Sequence, residues 1–297
     1  MTGTPSAAMR VGFQGEPGAF GEEALLALLP AAVPVPRRTF RDVVGAVESG
    51  TDDAGLLPVE NTLAGGVAAA FDALQAGEVR VVREVIIGIR HFLMAPPGTL
   101  LALVREVRSH PVALAQCERF FSEHPHMKPV AVHDTAGAAR EVAETRSPGV
   151  AALAPRRAAE RYGLDILAGE LQDRDDNQTR FLLVRRSSEP REPLAPSQGG
   201  LKTAVVVETE NRPGALHDLL GAFADRGLDL TFIESRPTGT PWTYRFILEF
   251  RHGSEAEARE CLEAAGSRGR TLRVLGTYVP HDPARGAGVD DVPGSGR

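Results

Sequence analysis

From residue 11 to residue 184 short apolar runs alternate with amphipathic stretches, the rhythm of an α/β sheet with helices packed on its faces. A short strand near Val11 and a helix over residues 22–29 open the series. Residues 55–59 then read as a buried strand, and Val67, Ala70, Phe71 and Leu74 recur at the i, i+3, i+4, i+7 spacing of a helix. Residues 79–89 are rich in β-branched side chains and predict one long strand or two, before Pro96, Pro97 and Gly98 break the chain. A second set follows: a strand from Val107, a helix over 111–121, a strand at 130–132 and a helix at 136–144. It ends with a strand at 149–153 and a helix at 156–162, closed by Gly163 as a left-handed C-cap. Strand character returns at 180–184. Two lobes with a cleft between them fit this order.

Residues 187–200 contain three prolines, three serines and a glycine pair, which is linker chemistry. Beyond them the pattern is a strand at 202–208, a helix at 213–226, a strand at 228–234, and a strand in which Tyr244, Phe246, Leu248 and Phe250 alternate with Arg245, Glu249 and Arg251. That alternation predicts one wet face. A helix with Ala258, Cys261, Leu262 and Ala265 on one side and a strand at 272–279 complete a βαββαβ unit, the ferredoxin-like arrangement. The expected domains are therefore 10–186, a linker at 187–201, 202–280, and a Gly-, Pro- and Asp-rich tail at 281–297.

Composition removes several classes of function. The chain has 297 residues, 42% of them hydrophobic, enough for two sizeable cores. A formal charge of -6 leaves no basic surplus to neutralise phosphates, so a nucleic-acid partner is not expected. Charged residues such as Arg83, Glu84 and Arg90 interrupt the most apolar region, which argues against a membrane span, and residues 1–9 lack the form of a signal peptide. The two cysteines, Cys117 and Cys261, lie far apart in apolar patterns, so no disulfide and a cytoplasmic location are expected.

Five segments carry candidate chemistry. Gly15 to Phe20 is a Gly-rich turn into a helix, which either holds an anion on its backbone N–H groups or is a plain tight turn. Glu60, Asn61 and Thr62 lie past the end of a buried strand, where open α/β sheets bind ligands; the competing role is capping of the next helix. Ser109 and His110 precede Pro111 at a helix start, where capping accounts for Ser109. Thr135 follows Asp134 in the same strand-to-helix design. Finally, the polar run 172–178, which includes Asn177, enters a strand through Thr179, Arg180 and Phe181. Extended backbone puts Thr179 and Phe181 on one side and Arg180 on the other, either a pocket for a ring-bearing ligand or a solvated turn. His124 and His126 have no third ligand nearby in sequence, so no metal site is expected.

Together these motifs resemble the prephenate dehydratase family, from near Val11 to the end of the chain. The likeness rests on Phe13 to Phe20, Leu57 to Thr62, Ser109 to Pro111 with Ala113 to Cys117, Asp134 to Ala139, and Asn177 to Phe181. Val112 stands where the family often has Gln, and Thr62 where Ser is common. The C-terminal region resembles the family's ACT regulatory domain through Asn211 to Leu216 and Glu234 to Pro237. The resemblance implies a two-lobed, periplasmic-binding-protein-like catalytic domain followed by the α+β ACT domain. It also implies prephenate as substrate, no cofactor, feedback by L-phenylalanine, and a homodimer or homotetramer.

Prephenate loses carbon dioxide and hydroxide to become aromatic, so the enzyme must orient a dianion and stabilise the departing hydroxide. Thr179 is the expected donor to that hydroxyl; Glu60, Asn61, Thr62, Ser109, His110, Thr135 and Asn177 are the expected anchors. A cation on the ring carboxylate would oppose its loss, so any direct role for Arg180 falls at the pyruvyl carboxylate. The L-phenylalanine site is expected where Asn211, Pro213, Gly214, Ala215 and Leu216 meet Glu234, Ser235, Arg236 and Pro237. Two alternatives remain: arogenate dehydratase, and a non-catalytic two-lobed sensor.

Overall fold

The computed structural model describes residues 8–191, 194 and 200–281. The expected tail from 282 onward and most of the expected linker lie outside the described residues. The first lobe comprises β1 (Arg10–Gln14), α1 (Phe20–Leu28), β2 (Val33–Arg37), α2 (Phe40–Glu48), β3 (Ala54–Asn61), the two-residue β4 (Gly65–Gly66), α3 (Ala68–Ala76) and β5 (Val79–Gly88). Ala70, Phe71 and Leu74 are the buried face of α3, as their spacing predicts. A capping box between Thr39 and Asp42 starts α2. The strand β2 was not expected, because its sequence VPVPR lacks N–H donors at two of five positions. It survives only as the edge neighbour of β1.

The second lobe comprises β6 (Phe92–Ala95), β7 (Glu106–Ser109), α4 (Pro111–Ala115), α5 (Glu118–Glu123), β8 (Lys128–Ala131), α6 (Thr135–Thr145), β9 (Val150–Ala154), α7 (Arg156–Tyr162) and β10 (Asp165–Ala168). Gly163 ends α7 in the left-handed conformation, with φ 66°. The chain then returns as β11 (Gln178–Arg186) to the first sheet, whose order is β2-β1-β3-β11-β5. The two crossings run side by side: Ile89 N donates to Asn177 O at 2.8 Å, and Leu171 N to His91 O at 3.0 Å. Because β11 inserts antiparallel between β3 and β5, Thr179 lands opposite Asn61.

The helix expected over 111–121 is two short helices. The break has a cause: Asp173 N donates to the Gln116 carbonyl at 2.7 Å, and the Asp173 carboxylate accepts from Glu118 N and Arg119 N at 2.8 and 3.0 Å. A carboxylate from a distant loop thus caps a new helix start where local periodicity would continue the old one.

The C-terminal domain is β12 (Leu201–Glu208), α8 (Ala215–Ala224), β13 (Leu230–Pro237), β14 (Tyr244–His252), α9 (Glu255–Arg268) and β15 (Thr271–Tyr278), in antiparallel order β13-β14-β12-β15. The expected βαββαβ order holds. Helices α8 and α9 cover one face over a core that includes Phe223, Phe250 and Cys261. Along β14 the other face is wet only toward its end, at the exposed Arg251. Ile247 and Glu249 are fully buried there, since the sheet docks on the first lobe and Ala204, Val206, Ile247, Leu275 and Tyr278 share a core with Val79, Val81, Leu182 and Val184. Phe232 stacks on Phe71 at 5.2 Å, and Gly276 packs so closely on β5 that a Cβ would overlap the Val81 backbone. Both cysteines are free and buried, and among the described residues no helix is long and apolar enough to cross a membrane.

Candidate active site

Four strand and hinge segments converge where the lobes meet. Asn61 ends β3, and its Oδ1 accepts from the backbone N–H groups of Leu63 and Ala64 at 3.0 and 2.8 Å. That local turn fixes which way the amide points. Its Nδ2 therefore faces β11, donating to Asn177 Oδ1 at 2.9 Å, Gln178 O at 3.0 Å and Thr179 Oγ1 at 2.9 Å. Asn177 Nδ2 in turn donates to Gln116 Oε1 at 3.0 Å, and His91 Nε2 lies 3.0 Å from that same oxygen. The result is one side-chain chain from His91 to Thr179, spanning both hinge segments and the second lobe.

The consequence for Thr179 is chemical. Its oxygen accepts from Asn61, so its own proton is free to be donated elsewhere, and the side chain is only half-buried. Asn177 is wholly buried, and both ends of its amide are engaged within the network. Burial holds the His91 imidazole below its ordinary pKa, against the opposing hydrogen bond with Gln116. Neither His91 nor Gln116 was assigned a site role from sequence. The available signal was a polar residue interrupting an apolar run in each case.

The remaining expected residues divide. Thr62 Oγ1 both donates to Asp176 O and accepts from Gln178 N, so it ties the ends of β3 and β11 together. Thr135 is half-buried at the start of α6, and its hydroxyl has no partner among the described residues; Asp134, beside it, caps the helix by accepting from Gly137 N at 2.6 Å. Ser109 is not a cap: fully buried, it donates to Leu153 O at 2.5 Å. The cap of α4 is His110, whose Nδ1 accepts from Val112 N at 3.3 Å. The Gly-rich turn is not an open anion cradle. Gly15 N, Gly18 N and Ala19 N are bonded within the chain, to Arg37 O, Glu22 Oε2 and Glu16 O. Gly18, at φ 90°, instead abuts Ala158, where a Cβ would come within 2.8 Å of the Ala158 Cα, and Tyr162 Oη donates to Pro17 O. The turn joins the lobes.

Arg180 and Phe181 correct the expectation most. Strand alternation turns Arg180 to the sheet's other face, where Nη1 lies 2.8 Å from Glu249 and 3.1 Å from Glu84 and Nε lies 2.9 Å from Glu60. Lys202 Nζ completes the cluster, 2.7 Å from Glu84. Glu60 and Arg180 therefore serve the domain interface, back to back with the cleft residues Asn61 and Thr179. Burial alone would depress the Arg180 guanidinium, but Glu249 and Glu84 outweigh it and hold its pKa above the ordinary value. Burial also opposes charge on Glu84, yet Lys202 and Arg180 win and its carboxyl sits low; at Glu249 burial wins and pushes the carboxyl up. Phe181, 3% exposed, belongs to the core with Phe13, Val85 and Phe92.

In the C-terminal domain Gly214, at φ 82°, starts α8, with Asn211 and Pro213 exposed, Ala215 buried and Leu216 packed on the helix-side core. Alternation along β13 separates the four residues expected to join them. Arg236 reaches the first lobe, 2.9 Å from Asp72, and Glu234 abuts Gly66, whereas Ser235 and Pro237 are exposed on the opposite face.

Comparison with known proteins agrees with this architecture. Residues 11–189 match the family model for prephenate dehydratase, and residues 203–266 that for the ACT domain. The chain is 37% identical over 282 residues to an arogenate dehydratase/prephenate dehydratase of Arabidopsis thaliana, covering 91% of this chain and 72% of that one. Among solved structures, a prephenate dehydratase from Arthrobacter aurescens in complex with L-Phe matches at TM-score 0.83 and 34% identity, over 91% of this chain and 90% of that one. A protein described as a quorum-quenching acylase, GqqA, matches at TM-score 0.84 and 32% identity, over 93% and 99%. The chain belongs to the prephenate dehydratase family, with an ACT domain following its two-lobed catalytic domain.

Proposed function

We propose that the protein is a cytoplasmic enzyme that converts prephenate to phenylpyruvate, restrained by L-phenylalanine acting on the ACT domain. The observation that carries this reading is the orientation of Thr179, whose oxygen is held by Asn61 so that its proton is left for an acceptor in the cleft. As the ring carboxylate leaves as carbon dioxide, its bonding electrons enter the ring and expel the hydroxyl as hydroxide. Thr179 stabilises that developing charge by hydrogen bonding, and solvent supplies the proton that makes water. The placement of Arg180 behind the sheet suits the same chemistry, because a cation at the ring carboxylate would hold it against departure.

The test is turnover of purified protein on prephenate, followed by the Thr179→Ala variant. Removal of such a donor costs about a hundredfold or more in kcat, and Thr179→Ser should keep most of the rate. Full activity in folded Thr179→Ala would overturn the mechanism, and ligand binding with no turnover would favour the sensor reading. Arogenate is the second candidate substrate, favoured by the double name of the Arabidopsis relative. The ratio of kcat/KM on the two substrates decides between them. The likeness to the GqqA acylase adds acyl amides as a control substrate.

For L-phenylalanine the supporting fact is the bound ligand of the Arthrobacter relative. The start of α8, with Asn211 to Leu216 beside the exposed residues Ser235 and Pro237, is the proposed site; activity unchanged at saturating L-phenylalanine would remove the claim. A homodimer or homotetramer is proposed from the open edge of β13 and the exposed Ile233 beside it, and light scattering would measure it.

A further inference from the structure

The hydrogen-bond chain of the cleft has a polarity that can be worked out from its fixed end. Backbone N–H groups can only donate, so Leu63 N and Ala64 N define Asn61 Oδ1 as the acceptor and place Asn61 Nδ2 toward β11. Asn177 must then present Oδ1 to Asn61 and Nδ2 to Gln116. Gln116 must present Oε1 to Asn177. The partner that also lies 3.0 Å from Gln116 Oε1 is His91 Nε2, which is therefore an N–H donor, in the tautomer that leaves Nδ1 bare. No member of the series has a free choice.

His91 is placed for more than packing. It sits in the first hinge segment, its backbone N–H donating to Gln172 Oε1 at 3.1 Å and its carbonyl accepting from Leu171 N at 3.0 Å, both on the second hinge segment. Its ring edge contacts Phe20 of α1 at 5.5 Å, so it touches the first lobe, both hinge segments and, through Gln116, the second lobe. The ring is 1% exposed, and Nδ1 has no hydrogen-bond partner among the described residues. An enclosed acceptor without a donor is destabilising, and a phenyl ring would fill the same space against Phe20 without that cost. Structural need alone does not explain an imidazole here. Two donors converging on Gln116 Oε1 do: they fix the plane of the Gln116 amide, which one donor alone would let rotate.

We infer that His91 is a positioning residue for the dehydration, acting through Gln116 to hold the polar chain that ends at Thr179. It rests on the reading of the cleft as the dehydratase site. Its role needs no proton transfer, since the neutral ring donates from Nε2 throughout.

The experiment uses the full chain. His91→Phe keeps the ring and removes the donor; His91→Gln returns an N–H donor near the position of Nε2. Expected for His91→Phe is a fall in kcat of about tenfold or more, in keeping with the rate sensitivity of misplaced groups, with KM changed less than about threefold. His91→Gln should recover most of kcat. Tm of His91→Phe should equal or exceed that of the wild type, because an unpaired acceptor has been removed. In a Gln116→Leu background His91→Phe should lower kcat no further, as residues acting in series do not add. Wild-type kcat in His91→Phe overturns the inference, as does a Tm that falls in step with kcat without rescue by His91→Gln. A wild type that turns over neither prephenate nor arogenate overturns the functional reading itself, a result distinguishable from failure of the His91 series in an active enzyme.

Discussion

Glu249→Leu tests whether the ion cluster at the domain interface is held by charge balance. Two enclosed cations, Arg180 and Lys202, face two enclosed carboxylates, Glu84 and Glu249, with Glu60 at the rim where its side chain is 39% exposed. Glu249 is fully buried, its carboxylate 2.8 Å from Arg180 Nη1 and 3.9 Å from Lys202 Nζ. Removing it leaves the two buried cations with Glu84 as their one buried partner and Glu60 at the rim, so a buried pair is broken, which costs about 3–5 kcal/mol. For a chain of this size that corresponds to a fall in Tm of about 5–8 °C. Removing a cation as well restores the balance, so Glu249→Leu with Lys202→Leu should recover most of the loss, because apolar replacement of a whole buried pair is often neutral or stabilising. The assay is urea unfolding of the two single variants and the double, compared at constant m. A double variant as unstable as the sum of the singles would refute the reasoning and assign the cost to packing.

Other outcomes follow from the same contacts. Gly276→Ala should weaken docking of the ACT domain, because its Cβ would meet the Val81 backbone rather than a movable side chain; the loss should be about 1–3 kcal/mol, read from thermal unfolding. Asp173→Ala removes the acceptor for Glu118 N and Arg119 N, so a loss of about 1 kcal/mol is expected, with a larger fall in kcat because Gln116 sits at that helix break. His91 and His252 are both held below their ordinary pKa, chiefly by burial. The unfolded chain therefore takes up more protons than the folded one as pH falls below about 6.5, and their contribution to stability is lost in that direction. A smaller decline in Tm between pH 7.5 and 5.5 in His91→Phe would bear this out, and an unchanged decline would count against it.

Much of the architecture was legible because it is written in local periodicity. The buried face of α3, the cap at Gly163 and the βαββαβ order each depend on residues a few positions apart. Strand β2 was not legible, because its prolines are tolerated only by virtue of an edge position that another strand defines. The break between α4 and α5 was hidden for a similar reason: the carboxylate that caps α5 comes from Asp173, 55 residues later than Glu118. Alternation placed Arg180 opposite Thr179, yet what Arg180 meets there depends on a separate domain. Likewise Ser109 reads as a cap or a ligand donor until β9 brings the Leu153 carbonyl against it.

The sequence by itself determined most of the elements and the identity of the polar side chains available for a dianion, because short-range spacing and side-chain chemistry are properties of the chain alone. Tertiary structure decided which of those side chains still have a proton or lone pair to offer. By inserting β11 between β3 and β5 it set Thr179 against Asn61, engaged Thr62 and Ser109 elsewhere, and drew His91 and Gln116 into the same network. Hydrogen-bonding capacity is finite, and only the fold shows where it has been used.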